Sequence, residues 1–534
     1  MIGAGLAGSC LARQLKLAHP ELAIAVIEAK TEFDSWVGES TIEVFVDYAH
    51  RHLGLGPYLA KHHVIKQALR YYWDAEDKSL SVPEMSEFGV NGYHGQLSYQ
   101  LDRATLDRDL CDLNREIGVD VFLGTRVLSR ASDTPITIDR DAGHTVQTSA
   151  GTFRCRWLVD AAGRNSPLAR TLGLGGADPR HPIGGYWARY RGVRNIDALG
   201  DAAWRQRTAY SLRFLATNHF MYRDYWIWLI PLSEDTVSVG VKFDSSRKSL
   251  RLKGADDLTA FLREHRCLSD ILGDSPQAED FYGLRHVARH ASKLYSTDRW
   301  FLTGMSGLFA DAFLSTGCAF LAIANRLIGE MIQSDRAGDH ERFERQTVGF
   351  ERYIKGLYNS IRLTNDHRLF GSYDVMGPFR RAGQLSYHNV LVPTGMEDLK
   401  TLVESVDEGT GPADDGAGSF SLARRRIALE YLDMVESAGT YYDMNKGEYL
   451  DGAVPEAVKK KYHLPRDLER ERAFLEDAWV EMFQTYASRA SAMRGQHFDA
   501  EAFARFIDRD WTAGQTLEEC LNALAPPLEI AAGQ

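Results

Sequence analysis

The sequence is poor in cysteine, has no long apolar run and carries no dense basic stretch. Its six cysteines (Cys10, Cys111, Cys155, Cys267, Cys318 and Cys520) are scattered and form no C-x-x-C pair. That spacing argues against a disulfide frame or a cysteine zinc site, and reduced thiols in the cytoplasm are expected. No segment reaches the about 18 apolar residues that span a bilayer, and no basic-then-apolar signal segment opens the chain. No membrane partner is therefore expected. Lys plus Arg total 62 against 73 Asp plus Glu, a formal charge of −11. Without a basic patch, that balance argues against nucleic acid. His62-His63 has no metal-ligand company and reads as a solvated pair, so no metal is expected.

A hydrophobic content of 44% and a charged content of 25% are those of a globular protein. At 534 residues, two or three packed units are expected. Gly3-Ala-Gly5-Leu-Ala-Gly8 matches G-x-G-x-x-G and runs into an amphipathic helix pattern ending near His19. A short buried-strand run, Leu22 to Ile27, then ends in Glu28. Gly3 permits the strand-to-helix turn, Gly5 lets a pyrophosphate approach the backbone, and Gly8 lets helix and strand pack closely. Glu28 lies about 20 residues past the last glycine, where an acid reaches a ribose hydroxyl. Only Met1 and Ile2 precede Gly3, whereas a strand of about five residues is usual. The recorded start is read as lying downstream of the true one, and a chain beginning here is expected to hold its cofactor poorly.

Trp226-Ile-Trp228-Leu-Ile230-Pro231 is the most distinctive run. By itself it reads as a buried strand stopped by a proline. Trp157-Leu-Val-Asp160-Ala-Ala-Gly163 reads as a strand with an Asp-x-x-Gly turn. Arg299 to Gly304 reads as another strand, followed by a loop to Gly317 and a helix over about Cys318 to Met331. In this order, with Gln100-Leu-Asp102-Arg103 before a helix, these segments resemble the group A flavoprotein monooxygenase fold. Hydroxylases of that fold carry Gly-Asp where this chain has Gly304-Met305. The loop ending in Ser315-Thr316-Gly317, and the W-x-W-x-I-P run, instead resemble flavin-dependent tryptophan halogenases over roughly residues 1–335.

The resemblance implies an α/β fold: a Rossmann-type FAD-binding domain, an inserted mixed β-sheet substrate domain and a mostly helical C-terminal region. The first module is expected over 1–335 with its inserted sheet at about 180–285, and the substrate-covering helices over 336–534. It also implies FAD contacts at Gly3, Gly5, Ala7, Gly8, Glu28, Val37, Glu39, Ser40, Arg103, Asp160, Met305 and Cys318. Thr316 and Gly317 would hold chloride or bromide by their amides at a helix start. Trp226, Trp228, Ile230 and Pro231 would stand between flavin and organic substrate. Ile65-Lys66-Gln-Ala-Leu-Arg70 resembles the segment around the family's catalytic lysine, which places that role on Lys66. Read as one strand, the segment puts Lys66, Ala68, Arg70 and Tyr72 on one face. The lysine either forms a haloamine or hydrogen-bonds hypohalous acid, and the sequence leaves both routes open.

Tryptophan halogenases have a glutamate directly before Ser-Thr-Gly; here it is Leu314, and Asp311 nearby is no substitute on spacing alone. A phenolic, pyrrolic or other activated ring, free or carrier-bound, is therefore expected rather than free tryptophan. A separate flavin reductase would supply FADH2, since no second nucleotide fingerprint is present. After about Glu341 the pattern is helical. Residues 407–418 form an acidic, glycine-rich linker or lid, and Tyr353, Tyr358, Tyr373, Tyr387, Phe350, Phe370 and Phe379 serve as core or ring cover. The alternatives are a hydroxylase or oxidase of the same fold, and a non-catalytic flavin-binding module.

Overall fold

A computed structural model describes residues 1–92, 97–128, 135–388, 392, 399–409, 416–454, 468–507 and 515–524. At the N-terminus, short parallel strands lie side by side. Asp120–Phe122 pairs with Ala25–Ile27, and Leu158–Asp160 pairs with Trp300–Leu302. Ile2 fills the space between them, bridging Ile27 on one side and Asp160 on the other in parallel. Its amide donates to Val159 O at 2.8 Å, and its carbonyl accepts from Ala161 N at 2.7 Å. Two residues thus make the central pairings for which the sequence reading expected a longer strand.

The Leu6–Ala18 helix leaves this strand through the glycine turn. Gly3 has φ +98°, and a Cβ there would lie 2.6 Å from Ala161 O; a Cβ on Gly8 would lie 2.0 Å from Gly3 O. Both glycines are therefore required by close packing.

A larger mixed sheet supplies the second layer. Along its width run Ile183–Arg191, Thr236–Asp244, Tyr225–Pro231, Thr217–Tyr222, Leu69–Trp73, Ser86–Gly89 and Tyr449–Asp451. The sheet expected within 180–285 thus also takes strands from the first hundred residues and from beyond 440. The open edge of Thr217–Tyr222 pairs in parallel with Leu69–Trp73, a long-range contact that no local pattern reports.

Because side chains alternate along a strand, the two faces of this sheet differ. Tyr72, Phe220, Ile227, Leu229, Val239 and Val241 pack with Leu258, Leu262, Leu268 and Ile271 of the Ala255–Arg263 and Arg266–Leu272 helices. Tyr71, Trp73, Met221, Trp226 and Trp228 face the other way, toward Phe313 and residues of the C-terminal helices such as Phe379, Ile427 and Phe483.

Those helices include Thr316–Arg336, His340–Thr364, Tyr373–Ser386, Gly416–Ala438 and Leu468–Met493. Of the acidic segment 407–418, residues 410–415 lie outside the described residues. Asp407 closes the Lys400–Asp407 helix and binds Arg342 and Gln346. No helix among the described residues is long and apolar enough to cross a membrane.

Candidate active site

A cavity of about 640 Å³ lies between the glycine turn and the tryptophan face of the large sheet. Gly5, Ala7 and Glu28 line it at one end, and Val37, Glu39, Ser40 and Arg103 along one side. Met305, Gly317 and Cys318 line it from the 304–318 segment, and Trp226, Trp228 and Ile230 from the sheet. Thirteen residues far apart in sequence are thereby brought to one space.

The other expected residues stand behind that wall. Gly3 and Gly8 shape the turn. Asp160 is wholly buried and accepts from Ala162 N at 2.9 Å, Ser166 Oγ at 2.7 Å, Leu168 N at 2.8 Å and Ser306 Oγ at 3.1 Å. It braces two turns and does not face the cavity. Pro231 ends its strand opposite Val237.

The donor set fits a dinucleotide. A Cβ on Gly5 would meet nothing within 4 Å, although Gly5 lines the cavity, so space for a phosphate lies directly at the helix start. Glu28 is held at its strand end by Ala4 N at 2.8 Å and Lys30 N at 3.0 Å. Arg103 donates to Val37 O at 3.0 Å and pairs with Asp107 at 2.8 Å, fixing the 36–40 loop. Burial pushes the Glu39 carboxyl up to about 8, against a hydrogen bond from Ser238 and the charge of Arg103. At neutral pH Glu39 keeps its proton and offers an O–H group.

Lys66 ends the Val64–Lys66 strand and is only 2% exposed. Its ammonium donates to Ser40 Oγ at 2.9 Å and to Thr41 O at 2.6 Å. Ser40 Oγ in turn accepts from Ser315 Oγ at 2.8 Å and lies 2.7 Å from Thr217 Oγ1. One serine hydroxyl therefore joins the lysine to the first residue before the Thr316–Arg336 helix. Ser315 is left-handed, with φ 54°, and its side chain makes no cap. The first amides of that helix remain open to an anion. Burial lowers the Lys66 amine to about 8, with Glu43 opposing the shift.

The expected strand face around Lys66 is corrected by the backbone. Ala68 has φ 74°, which interrupts the strand between Val64–Lys66 and Leu69–Trp73 and resets the alternation. Lys66 points to Ser40, whereas Arg70 points to the opposite side and binds Glu87 at 2.8 Å.

No protein-family model matches the chain. A flavin-dependent halogenase of Dictyostelium discoideum is 27% identical over 486 residues, 85% of this chain and 79% of that protein. Tetracycline 7-halogenase of Kitasatospora aureofaciens is 29% identical over 252 residues, only 44% of this chain and 43% of that enzyme. The crystal structure of halogenase PltM with phloroglucinol and FAD superposes with TM-score 0.66 over 92% of this chain and 98% of that one, at 15% identity. The protein is a relative of the flavin-dependent halogenases.

Several groups of this halogenase relative escaped the sequence reading. Glu43 accepts from Tyr387 Oη at 2.7 Å and interacts electrostatically with Lys66 and His388. Burial alone would raise its carboxyl, but His388, Tyr387 and Lys66 outweigh that and hold it below the usual range. Leu314 packs among apolar residues, so Glu43 is the carboxylate that answers the lysine. Asp311 is engaged elsewhere: its Oδ2 lies 3.2 Å from His367 Nε2 and 3.4 Å from His181 Nε2. These three buried side chains have the spacing of a metal set, a feature absent from the sequence reading because they lie more than fifty residues apart. His63, expected in solvent, is buried with Nδ1 accepting from Asp102 N at 3.3 Å. His219 lines the cavity, and burial lowers it to about 3. Its Nδ1 lies 3.0 Å from Arg70 O, which leaves Nε2 as an acceptor. A contact map, not a motif, is the signal that finds such groups.

Proposed function

We propose that the protein is an FADH2-dependent halogenase that uses O2 and chloride or bromide to halogenate an electron-rich aromatic ring. The observation that carries this reading is the buried Lys66 ammonium, bonded to Ser40, which itself accepts from Ser315 before the open helix N-terminus and lines a cavity walled by Trp226 and Trp228. When bound, the reduced flavin activates O2 and supplies the oxidising power that converts halide to hypohalous acid. The Thr316 and Gly317 amides hold the halide, because unsatisfied N–H groups favour an anion. Trp226, Trp228 and Ile230 keep the organic ring away from the flavin. Lys66 holds the hypohalous acid: two of its N–H groups are used by Ser40 and Thr41, and the third is free to donate. Hypohalous acid gives X⁺ to the ring and retains hydroxide; the ring proton passes to Glu43, and the two leave as water.

The ring class follows from the same site. Leu314 leaves no carboxylate directly before Ser315, which favours a ring that offsets its own positive charge, as a phenol does through its hydroxyl. Tetracycline and phloroglucinol, named with two of the similar proteins, are both phenolic. A separate reductase supplies FADH2, and the six free cysteines fit a reducing cytoplasm. The test is mass spectrometry after incubation with a reductase, FAD, NADH, bromide and a panel of phenols, pyrroles and indoles. Bromide-dependent mass shifts that vanish in Lys66→Met, while flavin oxidation continues, support the reading. Oxygenated products formed without halide would replace it with a hydroxylase.

A further inference from the structure

A second buried lysine faces the cavity and is not used by the chemistry above. Lys242 is 4% exposed and sits on the Thr236–Asp244 strand. Its cross-strand neighbours are Trp226 on one side and Gly185 on the other. A Cβ on Gly185 would lie 3.1 Å from Lys242 Cδ and 3.4 Å from Cε, so the glycine lets the lysine stem lie flat along the wall. Trp226, Lys242 and bare Gly185 together form a level strip.

The ammonium has no hydrogen bond or ion pair among the described residues, which is costly for a buried charge. The charged groups acting on it are Asp311 and Arg164. Asp311 is already committed to His181 and His367, and to Ala312 N and Phe313 N at 2.6 and 3.2 Å. Arg164 repels it. The other cations on the cavity wall are engaged: Lys30 with Asp34 at 2.7 Å, Arg103 with Asp107 at 2.8 Å, and Arg164 with Val287 O at 3.3 Å. Lys242 alone among them is a buried charge awaiting an anion.

We propose that Lys242 is the countercharge for the anionic reduced flavin ring and makes the cavity prefer reduced over oxidised FAD. This rests on the halogenase reading. A halide needs only N–H donors, and the helix start at Thr316 and Gly317 provides them. The level strip beside Trp226 instead matches a flat ring system. The oxidised ring is neutral and the reduced ring carries a negative charge, so one fixed cation separates the two forms. Such a preference suits an enzyme that receives FADH2 from another protein and must release FAD.

Anaerobic calorimetry tests it on the full chain, titrating FAD and chemically reduced FADH2 into wild type, Lys242→Met and Lys242→Arg without halide or organic substrate. Wild type should bind the reduced form more tightly. Lys242→Met should lower the reduced-to-oxidised affinity ratio about tenfold, equivalent to a fall of about 30 mV in the two-electron potential of bound flavin. Lys242→Arg should keep most of the ratio. An unchanged ratio in Lys242→Met, or an equal loss in Lys242→Arg, overturns the proposal. So does a loss of chloride affinity with the ratio intact, which would assign the lysine to the halide. A wild type that shows the ratio yet makes no halogenated product upholds this proposal while sinking the halogenase reading.

Discussion

The two faces of the large sheet bury charge in opposite ways. On the face away from the cavity, Arg70 and Arg213 converge on Glu87, at 2.8 Å each. Arg213 also donates to Thr208 Oγ1 at 2.9 Å and lies 3.5 Å over the Trp204 ring, and Arg70 donates to Ser211 Oγ at 2.6 Å. On the cavity face of the same sheet, Lys242 has no hydrogen bond or ion pair among the described residues, and neither Trp226 Nε1 nor His219 Nε2 has a hydrogen-bond partner among them. Interior polar groups are normally satisfied. The charges of the first face are thus matched within the protein, whereas the Lys242 charge of the second faces the cavity.

Substitutions on the two faces should therefore fail differently. The largest effect expected is on Lys66→Met: halogenation falls by about a thousandfold, or about 4 kcal/mol of barrier, while reduced flavin is still oxidised. Product mass spectrometry beside flavin absorbance separates the two. On the paired face, Glu87→Ala strands two buried guanidinium groups and should lose about 3–5 kcal/mol in denaturant unfolding. If Glu87→Ala spares stability but abolishes halogenation, the contrast between the faces breaks. Glu43→Gln should slow halogenation by about tenfold with little change in flavin affinity; an unchanged rate would remove Glu43 from proton acceptance.

The smallest effects are in pH. Burial lowers both Lys66 and Lys242 to about 8 from 10.5. Between those values the unfolded chain binds more protons than the folded one, so these two groups make stability rise with pH from about 8 to about 10.5. Below 8 both states are charged and the cost of burial is constant. A Lys66→Met, Lys242→Met double variant should thus melt above wild type at pH 7, with the gap closing toward pH 10. At neutral pH Lys66 is mainly the ammonium, so halogenation should decline as pH rises through about 8. A rising limb there would assign the haloamine route.

Contiguous features were legible before the fold was known. The glycine turn, the tryptophan run and the Ser315-Thr316-Gly317 helix start depend on spacing along one short segment, and most of their residues line the cavity. The reading failed where one backbone angle intervened: Ala68, at φ 74°, sends Lys66 and Arg70 to opposite sides, and periodicity assumes an unbroken strand. It also missed every partner that arrives from far away, such as Tyr387 on Glu43, His181 and His367 on Asp311, and Tyr449–Asp451 at the sheet edge.

By itself the sequence determined the glycine turn, the tryptophan strand and the helix start after Ser315, because each is set by short-range sterics and periodicity. Only the tertiary structure decided which charges are paired. Pairing depends on what neighbouring strands and loops bring across several ångströms, and two buried cations of one sheet can meet opposite answers. Arg70 found Glu87, whereas Lys242 was left facing the cavity.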